Sequence, residues 1–191
     1  MRIIAGQWRG RPLVAPAGDE TRPTADRTRE TLFSMLTSRL GSFEALRVGD
    51  FFAGSGALGL EAASRGASAV TLVEQGQQAA KTCRANAAVV LARAPRDGAL
   101  AIEVAQRPVD SFLGLSTASW DLVFLDPPYD FGAEALGRTL ALLVPRLAPD
   151  AVICLERAAR TEDPILPEGL ELERRTNYGD TTLWWLRPRE S

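Results

Sequence analysis

Three observations predict an α/β fold built on a parallel sheet with helices on both faces. From Leu46 onward, short apolar segments alternate with amphipathic helical ones, the pattern of strands whose connections cross over the sheet. The first of these segments runs into Asp50-Phe51-Phe52-Ala53-Gly54-Ser55-Gly56-Ala57-Leu58-Gly59, a glycine-rich turn that opens a helix. The second ends in Val70-Thr71-Leu72-Val73-Glu74, which sets a carboxylate 20 residues after Gly54.

Taken in order, the opening Arg2 to Val14 has short apolar stretches broken by Gly6 and Gly10 and reads as a small hairpin, an appendage to the main body. Turn formers fill Pro16 to Pro23. Thr24-Ala25-Asp26-Arg27 then reads as a helix start, with Thr24 as N-cap and Asp26 in the first turn, where the helix dipole favours an acid. Leu32, Phe33, Leu36 and Leu40 follow at helical spacing, so this helix should pack on the main domain. The alternation places strands near 46–51, 69–74, 100–105, 121–125 and 151–156, with helices near 57–65, 76–93, 108–114 and 132–147. The tail departs from it. Leu170 to Arg175 alternates with period two, Thr181 to Leu186 is strand-prone, and Asn177-Tyr178-Gly179-Asp180 joins them as a closing hairpin.

Composition sets limits on function. A chain of 191 residues with 46% apolar content suits one domain, with a basic extension over 1–40 and a core over 41–191. No apolar run approaches the roughly 18 residues of a membrane span, and the N-terminus lacks an apolar signal core, so a cytoplasmic protein is expected. Cys83 and Cys154 are far apart and read as reduced core thiols. With no histidine in the chain, Ser-His-Asp and Cys-His catalysis and His-based metal sites are excluded, and no metal is expected. A single lysine, Lys81, against twenty-one arginines reads as the mark of a GC-rich genome. Net charge is −2, but residues 1–40 carry +3, which makes the basic end the candidate polyanion contact.

The glycines of Gly54-x-Gly56-x-x-Gly59 let the backbone bend and bring N–H groups to a ligand at a positive helix terminus. The same pattern also occurs in nicotinamide and flavin enzymes. Glu74 stands where the ribose hydroxyls of an adenosine-containing ligand would be held, or it caps the next helix. Asp50 either supports the loop and faces the positive end of that ligand or is a solvated strand-end acid. The discriminating stretch is Asp121-Leu122-Val123-Phe124-Leu125-Asp126-Pro127-Pro128-Tyr129, an apolar strand running into two prolines. The prolines end the strand, fix two φ angles and leave carbonyls free as acceptors. An exocyclic purine amine is a poor nucleophile because its lone pair is delocalised into the ring. If the Asp126 carboxylate and the Pro127 carbonyl hold its two hydrogens, the nitrogen can pyramidalise toward a methyl donor. A sulfonium donor leaves as a neutral thioether and needs no metal, and Tyr129 is placed to stack on a flipped base.

Together these residues resemble the class I methyltransferases that act on amino groups of adenine or guanine. The match becomes closer at the ends. Arg2 to Gly6, Trp8-Arg9-Gly10, Arg22-Pro23-Thr24, Asp26-Arg27, Arg29 to Phe33, Ala53 to Ala62, Ser64 to Ala67 and Tyr178 to Thr181 resemble the RsmD-type 16S ribosomal RNA guanine-N2 methyltransferases over nearly the whole chain. The resemblance implies a doubly wound, mostly parallel, seven-stranded Rossmann-like sheet with a small N-terminal hairpin and helix. It implies S-adenosylmethionine at Ala53, Gly54, Ser55, Gly56 and Glu74, and the base at Asp126, Pro127 and Tyr129; Asp50 and Phe52 are expected beside the cofactor and Pro128 in the catalytic tetrapeptide. RNA contacts are expected at Arg2, Trp8, Arg9, Arg11, Arg22 and Arg27, although Arg2, Arg9, Arg11 and Trp8 also fit a merely solvated hairpin. The implied partner is 16S rRNA within an assembled or assembling small subunit, met by a monomer and no membrane. One position departs from the family. Where an acid usually precedes Phe112 by four residues to hold the adenine amine, this chain has Pro108, and the nearest acid is Asp110. Either Asp110 reaches in from a shifted turn or adenine is held by backbone alone.

Three other readings compete. An adenine-N6 methyltransferase shares the tetrapeptide, but a sequence-specific DNA enzyme usually adds a target-recognition region. A nicotinamide oxidoreductase explains the glycines but neither Asp126 to Tyr129 nor the basic start. A non-catalytic RNA-binding module predicts that Asp126 is dispensable.

Overall fold

The computed structural model describes residues 1–15, 23–94 and 100–190, with side chains from Asp26 onward in the first helix. Arg22 and the side chain of Thr24 lie outside the described residues. The elements are α1 (Pro23–Leu40), β1 (Arg47–Phe51), α2 (Ala57–Ser64), β2 (Ala69–Val73), α3 (Gln77–Leu91), β3 (Ala101–Ala105), α4 (Val109–Leu115), β4 (Trp120–Leu125), α5 (Ala133–Leu143), β5 (Leu147–Ala158), β6 (Leu170–Tyr178) and β7 (Thr181–Pro188). One seven-stranded sheet runs β3-β2-β1-β4-β5-β7-β6. Its first five strands are parallel, and β7 pairs antiparallel with both β5 and β6. The closing hairpin expected from the tail is therefore present as β6 and β7.

The order of the last two strands follows from their sequences. Leu183, Trp184, Trp185 and Leu186 are all buried, as a strand covered on both faces requires, so β7 takes the inner place. β6 carries Glu171, Glu173, Arg174 and Arg175 and forms the edge, where charged side chains discourage pairing with other chains. Arg175 lies over the Trp184 ring, 4.4 Å from its centroid, and shields that indole.

Two apolar layers form on the two faces of the sheet. One gathers Phe33 and Leu36 of α1, Leu60 of α2 and Cys83, Ala87 and Val90 of α3 against Val48, Val70, Leu72, Leu122 and Phe124. The other gathers Phe112 and Leu113 of α4 and Leu136, Leu140 and Leu143 of α5 against Phe51, Val73, Val123, Leu125, Ile153 and Leu155. This is the doubly wound arrangement. As Leu32, Phe33 and Leu36 predicted, α1 joins the first layer, with the Phe33 and Phe124 rings 5.6 Å apart.

Four expectations are corrected. The first helix begins at Pro23, one residue before Thr24, with proline where its missing N–H costs nothing. The helix expected over 132–147 ends at Leu143, and a 3-10 turn over Val144–Arg146 carries Pro145, which cannot continue an α-helix. Strand β5 starts there, earlier than expected, because a bulge opposite β4 between Trp120 and Leu122 accommodates Pro149 inside the strand. Last, the N-terminal hairpin is no appendage. It closes through an isolated bridge between Arg2 and Pro12, and it buries Ile3, Trp8 and Leu13 in the first apolar layer.

Candidate active site

The sheet reverses its winding direction between β1 and β4, the place where open α/β sheets form a crevice at the carboxyl ends of their strands. Phe51 pairs with Leu125 there. The segment from Phe52 and the segment from Asp126 therefore leave the sheet side by side, and the Asp126 N–H donates to the Phe51 carbonyl at 3.5 Å.

The first loop is held in a shape that few sequences adopt. Phe52 has φ of 63°, and Gly54 and Gly56 have φ of 56° and 77°, the left-handed region where a β-carbon is disfavoured. A β-carbon on Gly59 would lie 2.5 Å from Leu72 Cδ2 and 2.8 Å from Val70 Cγ1, so only glycine lets α2 settle onto β2. Side chains beneath the loop fix it. Asp50 accepts the Gly59 N–H at 2.9 Å, Cys83 donates to the Gly54 carbonyl at 3.2 Å, and Asn86 Nδ2 donates to the Ser55 carbonyl at 2.9 Å. Burial pushes the Cys83 thiol up to about 12, so it stays a protonated donor. Asp50 is buried rather than solvated. Desolvation raises its carboxyl to about 7, the nearby Glu74 charge adds to the rise, and the Gly59 N–H opposes it.

Glu74 does the capping job that its position suggested and also holds the glycine loop. One carboxylate oxygen accepts the Gly54 N–H at 3.0 Å and the other the Gly76 N–H at 2.7 Å, at the N-cap of α3. A carboxylate has about four lone-pair sites, so two remain for the vicinal hydroxyls of a ribose. Ala53, whose N–H donates to the Val73 carbonyl at 3.0 Å, ties the loop to the end of β2.

On the other wall, Pro127 is buried and Pro128 exposed, and the Pro128 carbonyl accepts the Phe131 N–H at 2.9 Å, which closes a tight turn. Phe131 meets Phe52 edge to face at 5.1 Å, so an aromatic pair joins the two loops. Tyr129 is 82% exposed, an aromatic ring of that size standing in solvent beside the crevice.

Two of the expected site residues have partners that the sequence did not reveal. Asp110 stands in the first turn of α4 and accepts a hydrogen bond from Thr139 of α5, so its carboxylate joins two helices. Trp8 is 6% exposed and packs in the core, which leaves no face for RNA. Arg2, Arg9 and Arg27 are exposed and Arg11 half-buried. Arg2, Arg9, Asp26 and Glu30 line a cleft of about 210 Å³ between the hairpin and α1. Among the described residues no group of three His, Cys, Asp or Glu is placed to hold a metal, and no helix is long and apolar enough to cross a membrane.

Sequence reasoning missed Glu61 and Asn86. Glu61 is fully buried and accepts the N–H groups of Ile4 at 2.7 Å and Ala5 at 3.0 Å together with Arg65 Nε at 2.8 Å, fastening the hairpin to α2. Asn86 also pairs with both the N–H and the carbonyl of Val14, at 2.8 and 3.0 Å, so one amide links the hairpin's far end to the glycine loop. A signal existed for Asn86. It is a polar residue among Ala80, Cys83, Ala87 and Val90, the apolar face of α3.

Comparison with known proteins agrees with this arrangement. The family model described as Conserved hypothetical protein 95 matches residues 1–187. The chain is 39% identical over 176 residues to the ribosomal RNA small subunit methyltransferase D of Escherichia coli K12, covering 91% of this chain and 83% of that protein. It is 35% identical over 181 residues to the protein of the same name from Haemophilus influenzae, covering 94% and 89%. Among solved structures, an Escherichia coli chain described as a methyltransferase superposes with a TM-score of 0.80 at 35% identity, covering 98% of this chain and 97% of that one. With its loop, its acid and its tetrapeptide gathered at one switch point, the chain belongs to the Conserved hypothetical protein 95 family, that of the ribosomal RNA small subunit methyltransferases D.

Proposed function

We propose that this protein transfers a methyl group from S-adenosylmethionine to the exocyclic N2 amine of a guanine in 16S ribosomal RNA, within an assembled or assembling small subunit and as a monomer. The observation that carries the reading is the pairing of β1 with β4, which brings the glycine loop and Asp126-Pro127-Pro128-Tyr129 out of the sheet together. The names of the Escherichia coli and Haemophilus influenzae relatives support the RNA and the subunit.

The residues present fit the cofactor. Glu74 has lone pairs left for ribose hydroxyls beside the left-handed Gly54 backbone. Phe52, Ala53, Ser55 and Gly56 form the rest of that wall, and Asp50 beneath it becomes a better anion when a cation lies near. When bound, S-adenosylmethionine supplies an electrophilic methyl on a sulfonium, and the C–S electron pair leaves with neutral sulfur as the N–C bond forms. Asp126 and the Pro127 carbonyl accept the two amine hydrogens and aim the nitrogen lone pair. Asp126 takes the proton that the nitrogen sheds. Tyr129 stacks on the extruded base, an interaction worth about 1–3 kcal/mol, and Pro128 keeps the turn rigid. Arg2, Arg9, Arg11 and Arg27 face the RNA backbone.

The test is methyl transfer from labelled S-adenosylmethionine to undermethylated small subunits, naked 16S rRNA and duplex DNA, followed by mass spectrometry of the nucleosides. N2-methylguanosine in 16S rRNA is expected. Transfer only to DNA, or only to adenine, overturns the reading. Asp126→Ala should lower kcat by about 10²-fold or more while cofactor binding, followed by calorimetry, is retained.

A further inference from the structure

Leu125 of β4 pairs with Leu155 of β5. Asp126, the first residue after β4, and Glu156 of β5 are thus the next residues along two neighbouring parallel strands, whose backbones run about 4.8 Å apart where they pair. Side chains alternate between faces along a strand. Leu125 and Leu155 belong to the layer under α4 and α5, and Phe124 and Cys154 to the layer under α1, α2 and α3. Glu156 therefore continues the face of Phe124 and Cys154, and it does so at the carboxyl end of the sheet, where Asp126 leaves β4.

The surroundings of Glu156 are unusual for an acid. It is half-buried, opposite Leu183 of β7. Burial raises its carboxyl above the usual range, and a hydrogen bond with the Thr181 side chain opposes the rise. Among the described residues no arginine forms an ion pair with it. A carboxylate withdrawn from water without a cation destabilises the free protein. Its natural complement is a ligand that brings a donor into the crevice.

We infer that Glu156 accepts the N1–H of the target base and so selects guanine over adenine, a step that rests on the reading of Asp126 as the acceptor for the exocyclic amine. Guanine presents N2–H and N1–H as adjacent donors on its Watson–Crick edge, which matches two carboxylates on adjacent strands. Adenine presents an acceptor at N1, and its lone pair would face an acceptor-only carboxylate. Asp-Pro-Pro-Tyr reads an amine alone. Glu156 supplies the second coordinate that distinguishes the two purines.

The experiment uses small subunits reconstituted with 16S rRNA in which the modified nucleotide, once located by mass spectrometry, is guanosine or 2-aminopurine. The analogue keeps the 2-amine and carries a lone pair at N1 in place of N1–H. The wild-type protein should favour guanine in kcat/KM by about 10²-fold or more, as sites built around a specific hydrogen bond do. Glu156→Gln, whose amide can donate to N1, should narrow that ratio by at least about tenfold, and Glu156→Ala should narrow it by slowing guanine alone. Glu156→Asp should keep the preference at a lower rate. Calorimetric binding of S-adenosylhomocysteine separates these effects from misfolding. An unchanged ratio in both Glu156→Gln and Glu156→Ala, whatever their absolute rates, overturns the inference and leaves the methyltransferase reading intact. Absence of any transfer to guanine by the wild-type protein overturns both.

Discussion

Asp50 is a strand-end carboxyl whose protonation is set by what packs over it. Its pKa of about 7 in the folded chain stands above the roughly 4 of an unfolded aspartate. Folding therefore takes up a proton between these values. The favourable contribution is complete below the unfolded pKa and is lost as the pH rises through about 7. Unfolding free energy from urea titrations should fall more steeply from about pH 4 to about pH 7 in the wild-type protein than in Asp50→Asn, whose amide does not titrate. Parallel slopes would remove Asp50 as the source. Asp110 makes the same point about environment. Its sequence position suggested a role at the cofactor, and the fold adds a bond from the Thr139 hydroxyl of a neighbouring helix to one of its carboxylate oxygens.

Elements transmit these local choices. The glycine loop is shaped from below by α3 and beside it by β2, and Asn86 joins the loop to the N-terminal hairpin with three hydrogen bonds. Asn86→Ala leaves the Ser55 carbonyl and both Val14 groups without that partner. The expected cost is about 2 kcal/mol of stability, measured by urea unfolding, together with weaker binding of S-adenosylhomocysteine. Stability loss with unchanged binding would mean that the hairpin and the loop are independent. Glu61 and Ser64 fasten the other end of the hairpin to α2, where a β-carbon on Gly6 would stand 1.9 Å from the Ser64 carbonyl oxygen. Gly6, at φ of 81°, is the one residue type that lets the chain pass this close.

At the scale of the whole molecule, an acidic chain presents a basic end. If Arg2, Arg9 and Arg27 meet phosphates, binding to 16S rRNA should weaken steeply with salt. Replacing the three by Gln should reduce the slope of log K against log salt by about 0.7 to 0.9 for each phosphate that no longer meets a guanidinium. An unchanged slope would place the RNA elsewhere. The sequence alone determined the alternation of strands and helices, the glycine loop, Glu74 and the tetrapeptide, because each is a local pattern of periodicity, backbone geometry and spacing. Hydrophobic period also revealed the tail hairpin, although the inner place of β7 follows from two-sided burial that only the assembled sheet provides. The tertiary structure decided what depended on partners distant in sequence. Trp8, expected at the RNA because it sits in a short basic hairpin, became core because that hairpin packs into the first apolar layer, which Leu60 and Ala63 of α2 share. Asn86 and Glu61 gained their roles from segments more than 50 residues away. Asp126 and Glu156 follow a pair, Leu125 and Leu155, that only the register of β4 and β5 brings together. A sequence records which side chains an element offers, and only packing decides what each one meets.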